Sequence, residues 1–157
     1  MRNKTCCFTG HRVIEKDNFK AIRMQTEECI KELVAEGVLN FICGGAIGFD
    51  MLCGELIIEY KKNNPDISLT LALPCQNQDK YFSWDDKKKY IFILANADYI
   101  IYTSDNYFRG CMHKRNRYMV DNSAYLIAYC KKNNGGSFYT RNYAIKQGVT
   151  IIDIMRD

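Results

Sequence analysis

Proline and histidine occur only twice each in these 157 residues, and the eight cysteines form no Cys-x-x-Cys pair. With His11 and His113 as the only imidazoles, no zinc-finger or metallohydrolase spacing can be written, so neither a metal nor a cofactor is called for. The scarcity of proline, and the lack of any Gly/Ser-rich or repetitive stretch, removes linkers and low-complexity segments from consideration. No run approaches the roughly 18 apolar residues that cross a bilayer. The first residues are too poor in apolar length for a secretory signal. A cytoplasmic protein without membrane contact is therefore expected, organised as a single domain over residues 1–157. The net charge of +4 suits an anionic ligand. It falls short of the strongly clustered basicity typical of nucleic-acid binders.

What is present is an alternation. Apolar residues make up 47% and charged residues 25%, an ordinary globular balance. Short apolar runs, expected as strands, occur at Thr5 to Thr9, Val38 to Cys43, Ile67 to Leu73, Asp98 to Thr103, Ala124 to Tyr129 and Val149 to Ile154. Between them lie segments with helical spacing. Phe19, Ile22, Cys29, Ile30, Leu33 and Val34 mark the first, closed by Gly37. The second follows Gly48 and runs to about Lys62, before Asn64-Pro65. The third opens at Ser83, whose pairing with Asp86 resembles a capping box. A short basic helix is predicted over Met112 to Asp121, and a last one between Asn133 and Gly148. Near-continuous apolar strands separated by helices predict an α/β, Rossmann-like, doubly wound fold. Its sheet is mainly parallel, of about six strands, with helices on both faces. The cysteines sit mostly in the apolar runs, where a thiol acts as a small hydrophobe, so reduced thiols rather than disulfides are expected.

In such sheets ligands bind beyond the carboxyl ends of the strands. The first strand runs into Gly10, His11 and Arg12. The second runs into Gly44, Gly45 and Gly48, then Asp50. The third leads to Pro74, Gln76 and Gln78, with Gln76 taken as the ligand candidate. The fourth precedes the basic helix, where His113 and Arg115 are chosen over Lys114 and Arg117. The fifth leads to Gly135, Gly136, Ser137 and Thr140. Glycines allow a backbone to close on an anion, and a helix start offers free N–H groups with roughly half a positive charge. Two glycine turns on one rim therefore point to phosphate. Arg12 would add a charge-assisted bond. Asp50 has two readings, a favourable charge at its helix N-terminus or an acceptor for a ribose hydroxyl. Tyr81 and Tyr107, in predicted loops, are candidates for stacking on a base. The Gly-x-Gly-x-x-Gly fingerprint is missing, which leaves an NAD reading unsupported.

Taken in order, Phe8 to Arg12, Gly44 to Asp50, Pro74 to Gln78, Arg117 to Ser123 and Gly135 to Ser137 with Thr140 resemble the YpsA-like branch of the SLOG superfamily, across essentially the whole chain. The superfamily includes the DprA proteins and the lonely-guy phosphoribohydrolases. The resemblance implies a Rossmann-like fold and binding of nucleotides or their derivatives. Met112-His113-Lys114-Arg115 is similar to the Met-His-Glu-Arg-Lys helix of the phosphoribohydrolases, which would set their catalytic arginine on Arg115. Their Gly-Gly-x-Gly-Thr-x-x-Glu motif falls on Gly135 to Tyr143 with a one-residue adjustment, and Tyr143 then stands where the catalytic glutamate belongs. Cleaving an N-glycosidic bond builds positive charge on the ribose, and a neutral phenol does not supply the needed anion. Arg115 and Asp50 are the candidates left for any catalysis.

The leading expectation is thus binding or sensing of a phosphate-bearing, nucleotide-derived small molecule at the strand-end rim. A nucleotide-processing enzyme of nucleosidase or phosphoribohydrolase type comes second, and single-stranded DNA binding third. A homo-oligomer is a weaker expectation, from the tendency of exposed helices in such domains to pair.

Overall fold

The computed structural model describes residues 1–156. Its centre is a six-stranded sheet in the order β4-β3-β2-β1-β5-β6. The strands are β1 (Thr5–Gly10), β2 (Asn40–Cys43), β3 (Ser68–Leu73), β4 (Tyr99–Tyr102), β5 (Tyr125–Tyr129) and β6 (Thr150–Asp153). Every neighbouring pair is parallel, so each connection must cross back over a sheet face. Five helices make those crossings: α1 (Phe19–Ala35), α2 (Phe49–Lys61), α3 (Trp84–Asn96), α4 (Cys111–Asp121) and α5 (Gly136–Lys146). Two short 3-10 turns, Arg2–Lys4 and Lys16–Asn18, precede β1 and α1. The fold is the Rossmann-like α/β architecture that the alternation predicts.

The period-2 alternation of each strand divides its side chains between the two layers. Cys6, Phe8, Phe41, Cys43, Leu69, Leu71 and Ile127 point to one side. There they pack against Ile22, Ile30 and Leu33 of α1, the apolar face of α2, and Tyr90 and Ile93 of α3. Cys7, Ile42, Ala72, Leu126 and Ala128 face the other side, under Met119 and Val120 of α4 and Ala144 of α5. Helix α2 is apolar nearly all round. Nine of its residues are buried, because it lies over the middle of the sheet beneath its neighbours.

The helix ends obey local chemistry. Ser83 caps α3 by accepting from the Asp86 N–H at 3.2 Å. Gly37, with φ of +104°, follows α1 in the left-handed conformation of a C-terminal cap. The guanidinium of Arg141 on α5 makes a two-pronged bond to Asp153 of β6, both contacts at 2.8 Å. It draws Asp153 below the usual carboxylate range. All eight cysteines are free thiols. Burial pushes Cys7 up to about 12, and raises Cys6, Cys43 and Cys53 as well. These thiols act as core hydrophobes rather than nucleophiles. None of the described helices is long and apolar enough to cross a membrane.

Candidate functional site

The strand order reverses direction at β1. From there the chain first builds outward through β2, β3 and β4, then returns to add β5 and β6 on the other side. The loops after β1 and β5 consequently diverge and open a crevice between them. A cleft of about 300 Å³ lies there. Its walls come from the end of β1 with Gly10, His11 and Arg12, from the first turn of α2, from α4, and from the Lys132 to Ser137 turn.

Of the residues expected at a ligand site, this crevice gathers Gly10, His11, Arg12 and Asp50 on one side. It gathers His113, Arg115, Gly135, Gly136 and Ser137 on the other. Gly44, Gly45, Gly48, Gln76 and Thr140 are not on its walls. Each of these five departures has a physical reason. The Gly44 N–H and the Ala46 N–H both donate to Oδ2 of Asp50, at 2.8 and 3.0 Å. The carboxylate at the start of α2 therefore fills the glycine turn after β2. An anion is held there, and it belongs to the protein. Gly45 turns away from the cleft, and a Cβ there would meet Tyr90, Gln78 and Leu73. Gly48, at φ of +87°, allows the loop to pass within contact of the Arg12 and His11 carbonyls, which any side chain would block. The Phe49 N–H at the head of α2 then donates to the His11 carbonyl at 3.1 Å. Gln76 is exposed, and it is Gln78 that reaches inward, accepting from Arg115 at 3.2 Å and donating to the Gly44 carbonyl. Thr140 is buried, with its hydroxyl on the Gly136 carbonyl, so it braces the first turn of α5.

The turn before α5 is built differently. Gly135 is its N-cap at φ of +91°, and among the described residues no side chain accepts from its first amides. The first bond within the helix is Tyr139 N–H to the Gly135 carbonyl. The N–H groups of Gly136, Ser137 and Phe138 precede that bond and have no intrahelical acceptor. The helix dipole adds a partial positive charge at the same point. Arg12 and Lys132 carry full positive charges along the cleft.

His11 ties the two rims together. Its Nε2 accepts the Lys131 N–H at 2.8 Å, and its Nδ1 lies 3.3 Å from the Ser137 hydroxyl. Accepting from an amide requires a free lone pair on Nε2, so the ring is neutral with its proton on Nδ1. Partial burial, then Lys132 and Lys131, hold its pKa below the ordinary value, consistent with a neutral ring.

Arg115 crosses under the β2 turn with only 4% of its surface exposed. One Nη donates to the Gly44 carbonyl at 2.6 Å, and Nε donates to Asn116 at 2.8 Å. Burial raises the pKa of Asp50, and the nearby guanidinium and the two amides oppose that rise. Burial lowers that of Arg115, with Asp50 opposing. The two form a buried, mutually compensating pair beneath the cleft. Tyr143 stands outside it, its hydroxyl donating to Asp121 at 2.7 Å. Arg117 is likewise outside, on the Tyr139 hydroxyl.

Sequence reasoning missed Lys132, Asn134 and Asn116, which also line the crevice. The Lys131-Lys132 pair, one residue beyond the end of the fifth strand, was the available signal for the first. A second cleft of about 650 Å³ meets the first at Arg12, Ala46 and Met112, and is lined by Tyr81, Phe82 and Tyr107. It is the larger and more apolar of the two. The larger cleft carries Lys80 and Asp86 and shares Arg12, whereas Lys132, Asp50, Arg115 and the free amides of α5 belong to the smaller one.

The family model YpsA, described as the YspA SLOG family, matches residues 6–151. The chain belongs to this family. Among curated relatives, this SLOG protein is 33% identical over 130 residues to the uncharacterized SPbeta prophage-derived protein YoqJ of Bacillus subtilis, covering 74% of this chain and 76% of that one. It is 29% identical over 143 residues to a UPF0398 protein of Halalkalibacterium halodurans, covering 85% of this chain and 76% of that one. Among solved structures it is similar to DNA processing protein A of Helicobacter pylori, whose structure describes a single-stranded DNA binding mode. The TM-score is 0.67 at 19% identity, over 95% of this chain and 64% of that one. For DNA processing protein A of Streptococcus pneumoniae the TM-score is 0.68 at 16% identity, over 96% of this chain and 50% of that one. At these identities the likeness is one of fold. This chain spans half to two thirds of those proteins.

Proposed function

We propose that the crevice between the β1 and β5 loops binds the phosphate of a nucleotide-derived small molecule, with α5 as its anion seat. The observation that carries this reading is the contrast between two glycine turns on one rim. The turn after β2 is already occupied by the Asp50 carboxylate. The turn before α5 keeps its amides free and faces Arg12 and Lys132. Membership of the SLOG family supports a nucleotide-related ligand. The volume of about 300 Å³ sits at the small end of ligand sites, roughly 300–1,000 Å³, and suits a sugar phosphate. A base then extends past Arg12 toward Tyr81 and Tyr107 in the adjoining cleft. Eight free thiols suit a reducing cytoplasm.

Binding rather than hydrolysis is favoured. Tyr143 replaces the expected carboxylate and is bonded away from the cleft. Single-stranded DNA is the second reading, supported by the fold shared with DNA processing protein A.

The decisive substitution is Gly136→Asp. A Cβ at Gly136 meets nothing within 4 Å, so the side chain fits, and a carboxylate in a first helical turn is tolerated or mildly stabilising. The variant should fold normally yet repel phosphate. In wild type, nucleoside monophosphates should raise the melting temperature by mass action, and in Gly136→Asp that rise should vanish. An equal rise in both would refute the seat. Binding of oligodeoxynucleotides that weakens steeply with salt, without any response to mononucleotides, would favour the DNA reading.

A further inference from the structure

Three buried side-chain polar atoms of the described residues have no hydrogen-bond partner; Nδ2 of Asn40 lies away from the cleft, and the other two, Oδ1 of Asp50 and Nδ1 of His113, belong to residues that line it. Buried polar atoms without partners are rare, and each calls for an explanation. Asp50 is 6% exposed, and its other oxygen is saturated by the Gly44 and Ala46 amides. Arg115 bonds to the Gly44 carbonyl, to Gln78 and to Asn116 rather than to this oxygen. Oδ1 thus retains lone pairs that no protein donor uses. A phosphate cannot serve it, since two anions would repel. Its partner is a donor: a water in the free protein, and in a complex a hydroxyl or an amine of a ligand whose anionic end lies elsewhere. The free amides of α5 supply that elsewhere, and His113 brings a second unsatisfied nitrogen from α4. A ribose 5-phosphate unit, with an anion at one end and neighbouring hydroxyls along the ring, has the chemistry to serve both.

We infer that Asp50 Oδ1 accepts a ribose hydroxyl, so that the cleft selects ribonucleotide-derived ligands over deoxyribonucleotides, DNA included. The inference rests on the phosphate seat proposed above. The carboxylate has two separate tasks. One oxygen shapes the β2 turn, and the other reads the sugar. A hydrogen bond to a charged group, lost along with its hydroxyl, weakens binding by roughly 10- to 100-fold.

The test is calorimetric titration of wild-type protein with ribose 5-phosphate and with the four common nucleoside 5′-monophosphates, each beside its 2′-deoxy and 3′-deoxy counterpart. The expected result is that at least one deoxy form of the bound nucleotide binds roughly 10-fold or more weakly. In Asp50→Asn the amide oxygen can still accept from Gly44 and Ala46 while an N–H₂ replaces Oδ1. The ribo-to-deoxy ratio should then fall toward one, with ribose 5-phosphate still bound through α5. Equal binding of ribo and deoxy forms by wild type overturns the inference and leaves the phosphate seat standing. Unchanged discrimination in a folded Asp50→Asn protein also overturns it. No binding of any phosphate-bearing probe, ribose 5-phosphate included, overturns both the inference and the seat.

Discussion

Replacing Arg115 with methionine separates two roles for the same side chain. If Arg115 chiefly reaches out to a ligand, its loss should weaken binding and leave folding almost untouched. The structure argues for the opposite balance. The guanidinium is buried and donates to the Gly44 carbonyl, to Gln78 and to Asn116. It is also the positive charge that opposes the burial-driven rise in the Asp50 pKa. Methionine fills similar space without a donor or a charge, leaving the buried Asp50 with the Gly44 and Ala46 amides but no opposite charge. Removing one member of a buried charge pair typically costs about 3–5 kcal/mol. For a domain of this size each kcal/mol lowers the melting temperature by roughly 2–4 °C, so a fall of roughly 6–20 °C is expected.

The pH dependence gives a second handle. Without Arg115 the folded-state pKa of Asp50 rises further above its unfolded value. A group raised in this way is destabilising at pH above its unfolded value near 4, and most so once the pH passes the folded pKa. The variant's deficit should therefore be larger at pH 8 than at pH 5. Adding Asp50→Asn should recover part of it. Urea denaturation of the two single variants and the double variant at both pH values measures all three effects. A loss below about 1 kcal/mol in Arg115→Met, equal at both pH values, would refute the buried-pair argument.

Two further outcomes follow from the loop geometry. In Gly10→Ala the new Cβ would lie 2.4 Å from Cδ2 and 2.6 Å from Cβ of Phe49, whose ring is wholly buried. The start of α2 must shift, at about 1–3 kcal/mol, which denaturant titration will register. His11 contributes stability as a neutral acceptor, and its folded pKa lies below the unfolded value near 6.5. That contribution is present above about pH 6.5 and is lost as the pH falls through the lower folded value. After solvent screening it amounts to about 1 kcal/mol or less. Melting curves between pH 7.5 and 5 should show this loss in wild type and a smaller one in His11→Gln, which has no proton to gain there.

Most of the fold was legible because its signals were local. The six apolar runs and five helical spacings are visible in single windows of sequence. Ser83 with Asp86, Gly37 and Asn64-Pro65 marked their ends by simple capping and turn chemistry. The rim was legible too, since topology puts every strand end of a parallel sheet on one side. The division of labour on that rim was not. Gly44-Gly45-x-x-Gly48 and Gly135-Gly136-Ser137 look alike as strings. What separates them is Asp50, which folds back onto its own turn, and the His11 carbonyl, which takes the first amide of α2. Both are tertiary contacts. The same holds for Gln78 over Gln76. Two glutamines of equal chemistry differ only in which one the loop turns toward Arg115.

The direct test of the phosphate seat is a ribose 5-phosphate titration followed by backbone amide NMR. The amide protons of Gly136, Ser137 and Phe138 should move downfield most and together, with smaller shifts at Gly44 and Ala46, which Asp50 already holds. Movement centred on Gly44 to Gly48 instead, with the first turn of α5 unperturbed, would contradict the assignment.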